Sequence, residues 1–160
     1  MRIAALSLVA VLALSDCGDK PPPDKAFILT DRSAIGFMTE FASGTYIGMS
    51  VQDHIAVMNK GLQDLSITDV AKTGDDAFTF SLEGQAMGAP PSSVLPITVK
   101  PMMSTFIEFI FTPTLVKRYS GAITITSNAE NVKDLPIQLT GCGLRKNPDG
   151  GNPDQPDGGC

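Results

Sequence analysis

The sequence has no tryptophan and a single histidine, His54, among 160 residues. That poverty argues against a cofactor box and against histidine-based catalysis, and no cofactor is expected. Basic residues are also few: 12 Lys and Arg face 17 Asp and Glu, for a net charge of −5 and a pI near 4.7. This argues against nucleic acid as a partner, since binding it requires a basic stripe that releases counterions. The same acidity disfavours electrostatic docking on anionic lipid. The one long apolar run is residues 3–14. As a helix it would rise only about 18 Å, short of a hydrocarbon core of roughly 30 Å. Behind Met1-Arg2 it reads as the apolar region of a signal peptide over residues 1–16. No helical period persists elsewhere. No Gly-Lys-(Ser/Thr) follows the glycines of residues 84–88, so no phosphate loop is expected there.

What is present is β-sheet chemistry. Thr, Ile, Val and Phe occur in short runs punctuated by Gly and Pro. The clearest stretch is residues 119–143. Ile123 and Ile125 alternate with Thr124 and Thr126, and Leu135, Ile137 and Leu139 alternate with Pro136, Gln138 and Thr140. This is the period of strands with one buried face. Upstream, extended runs are expected around Phe27-Ile28-Leu29, Ile35-Gly36-Phe37, residues 54–58, 65–70, 78–82, 94–99 and 106–111. Ile107, Phe109 and Phe111 should face the core and Glu108 the solvent. Residues 44–49 and 73–76 read as turns, and residues 83–93 as a long loop. Asn59 and Gly61 read as a turn whose residues tolerate positive φ. Pro96 implies an edge strand. Seven to nine short strands in one domain over residues 26–143 predict an all-β sandwich, with a small barrel as the alternative.

Leu14-Ser15-Asp16-Cys17 resembles the bacterial lipobox, in which the cysteine takes a diacylglyceryl thioether. Asp16 departs from that pattern, which has a small residue there. The resemblance implies a membrane anchor through lipid on Cys17 and a place in the bacterial cell envelope. The alternative is a plain secretory signal cut near the same point, with Cys17 as a disulfide partner. Residues 17–25 carry three consecutive prolines and read as a semi-rigid polyproline spacer.

Four further pieces occur in order. They are Ile55-x-Val57-x-Asn59-x-Gly61-x-x-x-Leu65-x-Ile67, Phe109-x-Phe111-x-Pro113, Gly121-x-Ile123-x-Ile125-x-Ser127-Asn128 and Ile137-x-Leu139-x-Gly141-x-Gly143. Together they resemble the ASPM-SPD-2-Hydin (ASH) type domain, whose bacterial relatives are called choice-of-anchor D proteins. The resemblance implies an immunoglobulin-like sandwich used for binding or scaffolding, without catalysis and often at a cell surface. Cys142 stands where small or polar residues are usual in that family.

Little else carries chemistry. His54 falls opposite Ile55 and Val57 and is expected in solvent, with no nucleophile motif to serve. The Asp, Pro and Gly of residues 144–160 read as a disordered, solvating tail rather than a converging calcium site. Met102, Met103 and Phe106 either form an exposed patch for a partner or line a loop against the core. If Cys17 carries lipid, Cys142 and Cys160 remain to pair outside the cytoplasm. Alternatively, Cys142 is a small buried residue and Cys160 is free or joined to another chain. The function expected is a non-enzymatic envelope lipoprotein that binds an unknown protein or surface partner. A chaperone-like or strand-donating subunit ranks second, because Pro96 and Pro136 blunt sheet edges. A carboxylate hydrolase ranks third.

Overall fold

The computed structural model describes residues 21–37, 44–86 and 89–145. The expected signal peptide, Cys17 and Cys160 lie outside the described residues. Ten strands follow one another: β1 Ile28–Thr30, β2 Ala34–Phe37, β3 Thr45–Tyr46, β4 Val51–Asn59, β5 Leu65–Gly74, β6 Phe78–Leu82, β7 Ile97–Val99, β8 Ser104–Phe111, β9 Arg118–Ser127 and β10 Asp134–Leu144. They form a four-stranded sheet ordered β1-β4-β8-β6 and a six-stranded sheet ordered β2-β10-β9-β5-β7, with β3 also paired to β10. The chain is an immunoglobulin-like β-sandwich. Pairing is antiparallel throughout except where β2 and β3 run parallel to β10.

Each sheet turns one side chain in two inward. Ile55 and Val57 of β4 and Ile107, Phe109 and Phe111 of β8 meet Ile123 and Ile125 of β9 and Ile137 and Leu139 of β10, and all of these are buried. The alternation read in the sequence therefore assigns the faces of these strands correctly. Differences lie in shorter pieces. The expected turn over residues 44–49 holds β3, two residues that extend the β10 ladder. The expected strand over residues 94–99 begins only at Ile97, behind a 3₁₀ turn over Pro91–Ser93. β10 runs one residue past 143, and Leu144 is buried.

Asn59 and Gly61 work differently from a positive-φ turn. Neither has a positive φ. Asn59 ends β4 with its side chain fully buried. Its Oδ1 accepts from the amides of Phe27 at 3.3 Å and Gly61 at 3.0 Å. Its Nδ2 donates to the carbonyls of Gln63 at 2.7 Å and Val99 at 3.0 Å. One amide thus ties β4, the lead-in to β1, the β4–β5 turn and β7, joining both sheets at one pole of the sandwich. Gly61 is required by space: a Cβ there would lie 1.7 Å from the Lys25 carbonyl oxygen.

The other pole is aromatic. Phe78 and Phe111 stack at 5.0 Å between centroids, Phe37 packs on both, and Tyr119 meets Phe111 edge-on at 5.3 Å. Gly141 leaves the room for this cluster, since a Cβ there would lie 2.6 Å from Phe111 Cζ. The Tyr119 hydroxyl donates to the Leu115 carbonyl and accepts from the Thr114 and Leu115 amides. It fixes the β8–β9 connection much as a tyrosine corner does.

Asp75 closes the β5–β6 corner at this pole. Its carboxylate accepts from Lys117 Nζ at 2.7 Å and from the Ser120 amide at 2.8 Å. These bonds, the lysine's first, hold its pKa below the usual carboxylate value. A depressed folded pKa means stability that is present above the unfolded value, about 3.9, and lost as pH falls through the folded one. Asp75→Asn should therefore lower the denaturation midpoint at pH 7, and the gap from the parent should close as pH falls below about 4. Denaturant titration across that range checks this. A gap independent of pH would mean that the charge contributes nothing.

Candidate binding surface on the four-stranded sheet

The outer face of the four-stranded sheet carries the side chains that alternate with the core. Cross-strand register puts Leu29 beside Met58, Met58 beside Ser104, Ala56 beside Phe106, His54 beside Glu108, and Glu108 beside Ser81. Leu29 is 45% exposed and Phe106 43%, and Met102 and Met103, both 61% exposed, stand at the end of β8. The patch expected as one alternative for the two methionines and Phe106 is thus at the surface. Met102 holds a φ of 62°, rare for a non-glycine residue. It is fixed there because its amide donates to the Asn59 carbonyl and the Met103 amide donates to Lys100.

A shallow groove of about 480 Å³ crosses this face, lined by His54, Ser81, Glu83, Gln85, Phe106 and Glu108 among others. The His54 ring meets Phe106 edge-on at 5.6 Å. Glu83 follows the end of β6 in a turn, and its carboxylate accepts from the Thr105 hydroxyl at 2.8 Å and from the Phe106 amide at 3.3 Å, both of β8. A second hollow of about 330 Å³, lined by Glu83, Lys100, Met103 and Thr105 among others, adjoins it.

His54 is exposed, in keeping with its position opposite Ile55 and Val57. The fold does bring a histidine, an acid and a serine together, but in the order His54, Glu108, Ser81 across neighbouring strands. A serine nucleophile needs the imidazole between hydroxyl and carboxylate; here the carboxylate occupies the middle strand. Among the described residues, no cluster of three His, Cys, Asp or Glu side chains could hold a metal ion.

The two margins of this sheet differ. On the β1 side, side chains cover the backbone at Ile28 and again beyond Thr30, whose own N–H and C=O are directed outward by alternation. The Asn131 amide group bonds both the N–H and C=O of Ile28, at 3.0 and 2.7 Å. Farther along, where β4 runs beyond β1, Asp31 Oδ1 accepts from the Ala56 amide. Arg32 donates to the His54 carbonyl while held by Asp53 in a two-pronged pair of 2.8 Å bonds. On the β6 side only the ends are closed. The Leu82 amide donates to Gln85 Oε1 and the Phe78 amide to the Asp75 carbonyl, both away from β8. Strand alternation then directs the Phe80 N–H and C=O outward as well. No side chain seals them among the described residues.

Cys142, near the end of β10, is 4% exposed and disulfide-bonded. Its partner lies outside the described residues, and the chain's other cysteines are Cys17 and Cys160.

No family model and no curated protein matches the chain. Solved structures do. A protein of unknown function from Porphyromonas gingivalis W83 superposes over 79% of this chain with a TM-score of 0.53 and 14% identity. The chain spans half the length of that structure. An ASH/PapD-like domain of human CEP192 covers 91% of this chain and is covered over 99% of its own, with a TM-score of 0.49 and 13% identity. The secreted serine protease VesC from Vibrio cholerae covers 79% of this chain, which spans 24% of that protein, with a TM-score of 0.49 and 12% identity.

Proposed function

We propose that this chain is a non-enzymatic, ASH-type binding or scaffolding module, held at the bacterial cell envelope by lipid on Cys17. The observation that carries the binding role is the outer face of the four-stranded sheet. There Leu29, Phe106, Met102 and Met103 stand in solvent beside a groove edged by Glu83 and Glu108. Exposed large apolar side chains gathered on one face mark interaction sites, and methionines adapt to varied partners. The ASH-type reading is supported by the ordered motifs, whose Asn59 and Gly61 sit at the close contacts of one pole and Phe111 and Gly141 at those of the other. A photo-crosslinking residue at position 106, used in cells, should capture one protein or surface component. Capture equal to that from position 124, on the other sheet's outer face, would sink the reading.

The anchor rests on the signal-like residues 3–14, the lipobox-like Leu14-Ser15-Asp16-Cys17 and the proline spacer. A diacylglyceryl group supplies the two chains that stable anchoring needs. Cys17→Ser should move the protein from the membrane fraction to the soluble fraction. Intact mass of the parent should show the lipid adduct on Cys17, and a mature mass without it would overturn the anchor.

A thioether on Cys17 leaves Cys160 as the partner of Cys142 within the chain. Non-reducing peptide mapping should recover Cys142 joined to Cys160; a Cys17–Cys142 peptide would refute both the pairing and the lipid.

A further inference from the structure

We infer that the open margin of β6 takes an extended, lysine- or arginine-bearing segment of a partner protein as an added strand. This rests on the binding-module reading and names its partner's chemistry. Two independent features meet at this margin. The first is backbone: the Phe80 N–H and C=O point outward and are unsealed among the described residues, whereas on the β1 side Asn131 covers Ile28, and Asp31 and Arg32 cover Ala56 and His54, which leaves only the short stretch at Thr30. A segment paired with Phe80 gains two main-chain hydrogen bonds there, the basis of strand addition. The second feature is charge. In an added strand, the residues flanking the one opposite Phe80 would project over the outer face, beside Thr79 and Ser81. Glu108 stands one strand in from Ser81. That places it two strand spacings, about 10 Å, from the added strand, within reach of a lysine or arginine side chain. Glu108 is exposed and has no ion-pair partner among the described residues, and Glu83 adds a second carboxylate to the same groove. Arg32, which lies against β4 from the β1–β2 connection, is already committed to Asp53.

A second copy of the chain fits this margin poorly. Edge-to-edge pairing at β6 would bring two acidic faces together, each from a chain of net charge −5.

The test uses the full chain, isotope-labelled, with a seven-residue probe peptide of sequence Thr-Val-Lys-Val-Lys-Val-Thr and its Glu-for-Lys counterpart. The lysine peptide should shift His54 and Phe106 and slow Phe80 amide exchange at least tenfold at saturation, while the glutamate peptide should do neither. Glu108→Gln should weaken binding about threefold, the scale of an exposed ion pair, and leave the melting temperature unchanged. Several results would overturn the inference: no binding of the lysine peptide, binding without Phe80 protection, equal binding of the glutamate peptide, or Phe80 protection that rises with protein concentration alone. Any of these, alongside a partner captured from position 106 in cells, would remove strand addition and leave the binding-module reading standing.

Discussion

Asn59→Ala should lower the unfolding free energy by about 4 kcal/mol. The change strips partners from the Phe27 and Gly61 amides and the Gln63 and Val99 carbonyls at once. Each buried polar group left unpaired costs roughly 1–3 kcal/mol, and some of these four will be relieved by water entering at the pole. Asn59→Asp is the sharper variant. It keeps an acceptor for the two amides but sets carboxylate oxygen against the two carbonyls, so it should destabilise as much as alanine. Asn128 is the comparison: its side chain also bonds backbone, at Ser66 and Asp64, but in exposed positions. Asn128→Ala should cost no more than about 1 kcal/mol. Urea denaturation of the three variants checks this. Equal midpoints for Asn59→Ala and Asn128→Ala would mean that the buried amide is not what joins the sheets.

The other large effect is expected at Phe109. Its ring is fully buried at the centre of β8, the strand lying between β4 and β6. Phe109→Ala should cost about 3–5 kcal/mol, from lost burial and the cavity left behind. That is a large share of a typical stability of 5–15 kcal/mol. Thr124 is centred on β9 in the same way but faces outward, so Thr124→Ala should stay within about 0.5 kcal/mol. Thermal or urea unfolding of the pair separates the inward from the outward face. Equal losses would mean that the faces are exchanged.

Strands that alternate apolar and polar residues over six positions or more are legible in the amino-acid order alone. Ile123, Ile125, Ile137 and Leu139 mark one face because a buried side requires that period, and Glu108 between Ile107 and Phe109 marks the other. β3 is not legible, because two residues carry no period and pair only through tertiary placement. The start of β4, before the expected run at His54, is hidden for a related reason: Gln52 and Asp53 show no apolar alternation, and Asp53 is held by Arg32 rather than by packing. Asn59 and Gly61 are visible as a motif, but their purpose is not. A turn and a buried hydrogen-bond centre leave the same letters, and only the approach of the Lys25 carbonyl and of Val99 tells them apart. The same reasoning explains why resemblance gives the fold more readily than the ligand. The matching positions sit at the poles and in the core, whereas His54, Phe106, Glu108 and the open margin of β6 lie outside every motif. Whether a strand is an edge is decided by what packs beside it, and no residue of β6 announces it.

The described chain enters the sandwich at the Asn59 pole, where Pro23 and Lys25 pack, and leaves it at the aromatic pole, past Leu144. A pull between an anchor before residue 21 and anything gripping the chain beyond residue 145 would run lengthwise through the strands. Ladder hydrogen bonds lie across that axis, so the pull would shear many at once instead of unzipping them singly. β10 would take much of the load through its paired residues on β9 and its parallel contacts with β2 and β3. Mechanically, the module is a link suited to being held at both ends.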